Sequence, residues 1–153
     1  MSEILRENDS IIDELESEMV SGLEPIICPL RHLFTKGMYI REIFMPMGTL
    51  ITSKIHNTIH PFTISKGSAK VCIDGKNWVL LEAPYTGVTQ IGTRRILYIE
   101  EDCVWTTYHP LPYITGEENN LSKESINSIV QNIENEILVP YQNPLLPNNF
   151  KLE

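Results

Sequence analysis

Side chains suited to binding a small anion lie close together in the middle of this 153-residue chain. They are Lys54, His56, His60 and Arg95. Residues two positions apart on a strand share a face, so Lys54 and His56 are predicted to face one space, which Arg95 would also face if the sheet closes into a barrel. Lysine offers a compact charge, arginine a planar fork that matches phosphate or carboxylate, and histidine further donors. The pattern therefore predicts a site for a negatively charged ligand.

A metal ion suits the same side chains poorly. Arginine keeps its proton in proteins, and lysine would have to lose its own before it could donate to a metal. With Lys54 and Arg95 charged, a divalent cation would be repelled. We therefore predict neither a metal nor another cofactor; if a metal did bind, His56 and His60 would be its ligands.

The last strand-like run adds three candidates. Trp105, Thr107 and His109 share one face of an extended CVWTTYH segment and could supply stacking, hydroxyl and imidazole contacts to the ligand. For His109, which precedes Pro110 at a strand end, the sequence favours a structural hydrogen bond over a contact with the ligand. Weaker candidates come from the intervening loops: Tyr85, Thr86 and Thr93.

The two adjacent arginines, Arg94 and Arg95, are predicted to have different roles. Arg94 should face away from Arg95 and form a surface or intersubunit ion pair. An alternative for Arg95 itself is an ion pair with Glu82 or Glu42.

Helices are predicted at both ends of the chain. Residues 3–20 carry Leu5, Ile12, Leu15 and Met19 at helical spacing, with an acidic face expected to be solvated. Prolines then predict an irregular connection through the segment around His32. Residues 121–137 carry a long apolar stripe before Pro140, which must pack on the chain's own sheet or on a partner subunit. We therefore expect a homo-oligomer.

Between the helices the chain alternates short β-rich runs with glycine, proline or acidic turns. Asp74 and Gly75 predict a type I′ hairpin, and Glu101 with Asp102 a second tight turn. Seven short strands favour a barrel or sandwich. The runs are MYIREIFM, TLITSKI, FTISK, AKVCI, KNWVLL, RRILYI and CVWTTYH.

The middle of the chain resembles a cupin, a jelly-roll barrel whose first motif is G(X)5HXH(X)3-4E(X)6G. By position, Lys54, His56 and His60 stand at the His, His and Glu of that motif, and Gly67 stands at its final glycine. The family's metal ligands include these first three positions, so the resemblance implies a cupin fold without the family's usual metal set.

The second cupin motif, G(X)5PXG(X)2H(X)3N, matches less closely. Gln90 stands for its proline, Gly92 for its glycine and Arg95 for its metal-binding histidine. The segments HPFTISKG and APYTGVTQIGTRRILYIEEDCVWTTYHP are further similar to small uncharacterised cupin-like proteins of tailed phages. That resemblance would imply a phage origin and action in the host cytoplasm.

These observations predict a mostly β protein: a single cupin-type jelly-roll β-barrel flanked by N-terminal and C-terminal α-helices. The expected parts are an acidic helix with its connection (1–35), the barrel (36–112) and a C-terminal helix with a proline-rich tail (113–153). The net charge of −8 argues against nucleic acid and anionic membrane as partners. An acidic start and the absence of a long apolar run predict a cytoplasmic protein with reduced cysteines.

Three functions remain open. The first is metal-free binding of a small anion, with phage-encoded sequestration of a signalling nucleotide as one form. The second is a cupin enzyme, either a sugar-nucleotide epimerase or isomerase with His56 or His60 as base, or a metal-dependent oxygenase. The third is a structural or interaction protein, favoured if large aromatic side chains fill the cavity: Phe44, Phe62, Trp78 and Trp105.

Overall fold

Seven strands form one antiparallel sheet with a helix at each end of the chain. The computed structural model describes residues 3–141 and 143–146. Its elements are α1 (Glu3–Gly22), β1 (Leu30–Thr35), β2 (Met38–Met45), β3 (Leu50–Thr52), β4 (His60–Cys72), β5 (Trp78–Glu82), β6 (Tyr85–Thr89), β7 (Ile96–Pro110), a 3-10 turn (Glu117–Asn120) and α2 (Lys123–Ile137). The predicted fold class, mostly β with a flanking helix at each end, is confirmed. None of the helices in this part of the chain is long and apolar enough to cross a membrane.

Two long strands, β4 and β7, hold the sheet together. The first half of β4 pairs with β6, its second half pairs with β5, and β7 runs beside both halves. At its other edge β7 pairs with β3 near its start and with β2 near its end. Side chains from both halves of β4 and β7 enter one apolar core, so the sheet is folded over on itself. The strand order runs β1-β2-β7-β4-β5, and within the described residues β1 and β5 do not pair, so the predicted closure into a full barrel is not formed.

Each long strand unites two predicted short ones. FTISK and all but the last residue of AKVCI lie in β4, and CVWTTYH and the last four residues of RRILYI lie in β7. The turn predicted at Glu101 and Asp102 is therefore wrong. What the structure has there is an irregular register between β4 and β7, with Gly67 at φ +79° opposite these residues. A bulge of this kind bends a strand without ending it.

Two further strands lie where the sequence predicted irregular chain. β1 occupies the segment around His32 and pairs along its whole length with β2. β6 occupies the region predicted as a loop. The predicted Asp74–Gly75 hairpin does join β4 to β5, but only Gly75 has positive φ, so the turn is not type I′. Asp74 instead accepts hydrogen bonds from the backbone N–H groups of Lys76 and Asn77, at 2.9 and 2.8 Å.

α2 packs on the chain's own sheet. Ser122 caps its N-terminus by accepting a hydrogen bond from the Ser125 N–H, and Leu138 after its last turn is extended. Its buried residues Val130, Ile133 and Ile137 lie against a cluster that includes side chains of β1 and β2. Most of the apolar stripe predicted from the sequence thus packs within one chain, whereas Leu121 at its start is 46 % exposed.

α1 buries acidic side chains, contrary to the prediction that its acidic face is solvated. Ile12 of α1 is fully buried against Cys72 and Ile96. Beside it, Asp9, Asp13 and Glu16 all contact the guanidinium of Arg94, which is 3 % exposed. Arg94 therefore forms a buried intramolecular ion cluster, not the surface or intersubunit pair that was predicted.

Other predictions concern the ends of the chain. Leu15 and Met19 lie partly buried on α1, whereas the side chain of Leu5 lies outside the described residues. The predicted proline-rich tail also lies outside them from residue 147 onward. The three cysteines are free, and Cys72 and Cys103 are buried.

Candidate functional site

A cavity of about 130 Å³ lies between the sheet and the C-terminal end of α2. All seven site residues predicted from the sequence line it: Lys54, His56, His60, Arg95, Trp105, Thr107 and His109. Cavity-lining residues that the prediction missed are Tyr39, Arg41, Ile43, Met45, Ile51, Thr52, Ser53, Thr89, Leu97, Glu134, Ile137 and Leu138. The weaker candidates Tyr85, Thr86 and Thr93 do not contribute to its wall.

Loops, not strands, carry three of the predicted residues. β3 ends at Thr52, so Lys54 and His56 lie in the connection to β4, and Arg95 directly precedes β7. The two loops are hydrogen-bonded to each other: Ser53 N–H donates to the Arg95 carbonyl at 2.9 Å, and Arg95 N–H donates to Ser53 Oγ at 2.8 Å. These bonds join the two loops, so Lys54, His56 and Arg95 are held at the cavity although none of them lies in a strand.

The segment after α2 closes over the same loop. Val139 N–H donates to the Ile55 carbonyl at 2.9 Å, and Asn57 N–H donates to the Ile137 carbonyl at 2.8 Å. His56 and Leu138, the residues between these partners, form an isolated β-bridge. α2 is therefore both the cover of the cavity and a support for His56.

Three of the chain's four histidines form one cluster in the cavity. Each of His56, His60 and His109 offers a ring nitrogen, and these three atoms lie within 4.8 Å of one another. The ring centroids are 4.6 Å apart for His56 and His60, 4.6 Å for His60 and His109, and 5.6 Å for His56 and His109. His60 and His109 are each 2 % exposed. The sequence predicted each residue for the site, but it gave no sign that the imidazole of His109 meets those of His56 and His60.

Hydrogen bonds select the tautomers of the two most buried rings. His60 Nδ1 lies 3.3 Å from the Thr58 carbonyl oxygen, which can only accept, so Nδ1 carries the proton and Nε2 keeps a lone pair. His109 Nε2 lies 2.9 Å from Thr107 Oγ1, whose own proton goes to the Arg41 carbonyl. His109 Nε2 is then the donor, and His109 Nδ1 keeps a lone pair. That Nδ1 is buried without a hydrogen-bond partner in the structure.

Burial keeps these imidazoles neutral. Desolvation, followed by the charges of His60 and Arg41, lowers the pKa of His56 to about 4, although a hydrogen bond to the Lys54 backbone opposes the shift. Desolvation and then the charges of its two neighbours His60 and His56 lower the pKa of His109 to about 3. Desolvation likewise lowers the pKa of His60. At neutral pH the cluster therefore presents uncharged rings with free lone pairs.

Arg95 lies beside this cluster without an acidic partner. Its Nη2 donates to Thr89 Oγ1 at 3.0 Å, and its guanidinium carbon lies 5.3 Å from the centre of the Phe62 ring. Among the described residues no carboxylate comes within ion-pair distance of it. Glu42, one of the partners suggested from the sequence, pairs instead with Arg31 at 3.1 Å. Desolvation lowers the pKa of Arg95.

Two other charged residues line the cavity. Lys54 is exposed at its mouth, with Nζ 3.7 Å from Glu134 Oε2 on α2. Arg41 comes from β2, directly opposite Thr107 in the register of β2 and β7. A sequence signal for Arg41 does exist: Tyr39, Arg41, Ile43 and Met45 alternate along β2, and all four line the cavity.

The walls leave polar room, which weakens the purely structural reading of the chain. Trp105 lines the cavity and is buried, and its outer side stacks on Phe62, which does not line the cavity, with ring centres 4.6 Å apart. Trp78, which would have helped to fill the cavity, is 48 % exposed on β5. Polar side chains, among them the three imidazoles, Arg41 and Arg95, therefore share the cavity wall with apolar ones.

Acid should destabilise the protein through this cluster. The folded pKa values of His56 and His109, about 4 and about 3, lie below the usual 6.5. As the pH falls below 6.5, the unfolded chain takes up protons first, so stability present above that pH is lost toward pH 4 and below. We expect the free energy of unfolding, measured with urea, to fall by roughly 2–4 kcal/mol between pH 7 and pH 5.

His109→Gln serves as the comparison for this pH dependence. The variant should show a shallower fall over the same range, because one group that binds protons only in the unfolded state is gone. A pH dependence as steep as that of the unaltered protein would show that His109 is not held neutral by burial.

In comparisons with known proteins, this chain is similar to others in structure only. No family model matches the chain, and no curated protein matches it in sequence. Similar solved structures include an ectoine synthase from P. lautus, with 13 % identity, 64 % of this chain and 73 % of that chain covered, and a TM-score of 0.49. A double-stranded β-helix protein from Klebsiella pneumoniae shows 14 % identity over 62 % and 88 % of the chains, with a TM-score of 0.49. An RmlC-like cupin family protein from Methanocaldococcus jannaschii shows 12 % identity over 64 % and 90 %, with a TM-score of 0.47.

Proposed function

We propose that this protein binds a small oxyanion, a carboxylate or phosphate group, in the cavity, and that Arg95 is its principal partner. The observation that carries the proposal is the state of Arg95: half-buried, desolvated and held by a single hydroxyl. A buried charge without a counter-ion is costly, and a bound oxyanion would both neutralise it and match its planar fork. The guanidinium is thus available to bind an anionic ligand.

The charges around the cavity support the same reading. Arg41, Lys54 and Arg95 contribute three positive charges to its wall, and Glu134 contributes the one carboxylate among the described lining residues. The whole chain carries a net charge of −8. The positive cavity attracts small anions, whereas the negative charge of the whole protein repels polyanions such as nucleic acid.

The size of the cavity limits the guest. A volume of about 130 Å³ is close to that of cavities that accept a benzene-sized molecule, which is enough for a phosphate or a short carboxylic acid. A whole nucleotide does not fit. An outer groove of about 870 Å³ shares Arg41, Lys54 and Glu134 with the cavity. A nucleotide would therefore place its phosphate inside and its base in the groove, which keeps nucleotide sequestration among the possible forms of this function.

An enzyme is the second candidate, favoured by the neutral histidines. An unprotonated imidazole beside a bound anion can act as a general base, and His60 Nε2 is free to do so. The orienting partners in the described residues are a carbonyl and a hydroxyl, which hold a ring but do not strengthen it as a base in the way a carboxylate does. Binding without turnover is therefore the better supported function.

Replacing Arg95 tests the proposal. Titration calorimetry at constant ionic strength, with inorganic phosphate and a series of mono- and dicarboxylates, should find at least one anion that binds the unaltered protein. We expect Arg95→Met to weaken it roughly 10- to 100-fold, since hydrogen bonds to charged groups contribute about 1.5–3 kcal/mol. A ligand that emerges chemically altered would identify the enzyme instead.

Arg31→Met is the matched control. Arg31 is another arginine of the sheet, but its side chain is 63 % exposed and its guanidinium already pairs with Glu42. Its replacement should leave anion affinity unchanged. Equal losses in the two variants would mean that anions respond to net charge and not to the cavity, and the proposal would fall.

A further inference from the structure

A metal site in this chain would use a different set of residues from the one that the cupin resemblance implies. Two of the implied positions hold Lys54 and Arg95, which do not ligate metals. Two hold His56 and His60, and the structure adds His109 from the far end of β7, outside both motifs. We propose that His56, His60 and His109 bind one divalent transition-metal ion, and that the anion of the proposed function occupies the position beside it.

The donor set carries the first part of the argument. Three imidazole nitrogens within 4.8 Å of one another are close to what a shared ion requires. Nitrogen ligands lie about 2.0–2.1 Å from zinc, which places two nitrogens of a tetrahedral site roughly 3.3 Å apart. The nitrogens would therefore move together by at most about 1.5 Å around the ion. Imidazole donors suit zinc, iron, copper or nickel, and a site with three protein ligands leaves a position open.

The surrounding hydrogen bonds carry the second part. Metal-binding histidines donate their other ring N–H to a carbonyl or similar acceptor, which fixes the tautomer and aims the lone pair. His60 makes this contact with the Thr58 carbonyl, and His109 makes it with the Thr107 hydroxyl. His109 Nδ1 is left buried and without a partner, a costly state that a metal ion would relieve.

The positive side chains explain why metal and anion belong together. Arg41 and Arg95 line the same cavity as the three histidines, so a bare divalent ion meets repulsion there. An anion between the ion and Arg95 would offset both charges. By linkage, each ligand should then raise the affinity for the other by the same factor. This step rests on the proposed function, whereas the three-histidine set does not.

Zinc binding to metal-stripped protein tests the site. We expect calorimetry in phosphate-free buffer to give one zinc per chain and zinc to raise the melting temperature. His109→Gln and His56→Gln should each weaken zinc binding by more than about 100-fold, beyond what loss of an outer hydrogen bond causes. Thr107→Val, which removes only the orienting hydroxyl, should weaken it roughly 10- to 100-fold.

His32→Gln is the matched control because His32 is the fourth histidine and lies outside the cluster, where its Nδ1 contacts Tyr39 Oη at 2.7 Å. It should bind zinc as the unaltered protein does. If the buried His109 variant does not fold, the half-buried His56 variant and Thr107→Val decide the matter. Absent zinc binding, or zinc affinity unchanged in the cluster variants that fold, would overturn the metal site. If the metal site fails in this way, anion binding that still depends on Arg95 would leave the proposed function intact. Conversely, an Arg95→Met variant that binds zinc but loses no anion affinity would overturn the proposed function and leave the metal site intact.

Discussion

Replacing Arg94 by methionine is expected to cost about 3–5 kcal/mol of folding free energy at pH 7, the range found when one partner of a buried ion pair is removed. Its Nη1 donates to Asp13 Oδ1 at 2.9 Å and to Asp9 Oδ1 at 3.3 Å, and its Nη2 donates to Glu16 Oε1 at 2.8 Å. Without the guanidinium, three carboxylates would share a buried site with no cation among the described residues. Domains of this size are stable by only about 5–15 kcal/mol, so the loss would be a large share of the total.

The damage should begin at α1. The packing of Ile12 and Leu15, the Arg94 cluster and two further hydrogen bonds hold this helix to the sheet: Asn8 Nδ2 donates to the Arg94 carbonyl at 3.0 Å, and Thr52 Oγ1 donates to Glu16 Oε2 at 2.6 Å. Hydrogen exchange should therefore show α1 losing protection before the strands do, and urea unfolding should give the total loss.

Arg31→Met separates this effect from the general cost of losing an arginine. Arg31 makes a two-pronged contact with Glu42 across β1 and β2, but in an exposed position. We expect its loss to cost less than about 1 kcal/mol. A similar cost for both variants would show that the Arg94 cluster does not anchor α1.

The contrast between α1 and α2 shows which part of the fold could be predicted. The stripe that includes Val130, Ile133 and Ile137 predicts a helix with one buried face, because helical spacing and burial are properties of the same short segment. The acidic face of α1 has the same local pattern as a solvated face. Its burial depends on Arg94, more than seventy residues further along the chain, and no local pattern reports so distant a partner.

The strands illustrate the same limit. The β-rich runs were recognised, but glycine and acidic residues within β4 and β7 predicted breaks where the chain only bends. Whether such a residue ends a strand or forms a bulge is decided by the strand paired opposite it. β1 and β6 were missed for the same reason, since each is made a strand by its pairing with β2 or β4.

For the site, residue chemistry was more informative than geometry. The chemistry of the side chains and the two-residue period of a strand selected seven residues that all line one cavity. Lys54 and His56, however, reach it from a loop and not from a strand. The meeting of His109 with His56 and His60 could not be predicted, because it depends on the path of β7 beside β4. The absence of a carboxylate near Arg95 is likewise a property of the whole fold.

Replacing Gly67 by alanine is expected to be the most damaging small substitution in the sheet. Gly67 has φ +79°, and a Cβ there would meet the carbonyl group of Asp102, with its carbon at 2.7 Å, and the carbonyl oxygen of Glu101 at 2.8 Å. These are backbone atoms of β7, so they cannot turn aside as a side chain would. Positive φ costs alanine about 1–2 kcal/mol, and overpacking adds about 1–3 kcal/mol. We expect urea unfolding to show a loss of roughly 3–5 kcal/mol.

Gly48→Ala isolates the effect of close packing from that of the backbone angle. Gly48 has φ +85°, but an added Cβ would find no atom within 4 Å, so only the conformational cost of about 1–2 kcal/mol should remain. Equal losses in the two variants would show that the close approach of β7 to Gly67 adds nothing to the cost of the alanine.

If Gly67→Ala is the costlier, as we expect, it should also weaken anion binding in the protein that still folds. The bend at Gly67 lets the first half of β4 carry His60 into the cavity while the second half pairs with β5. The glycine would then serve the site through the path of the strand and not through any contact with the ligand.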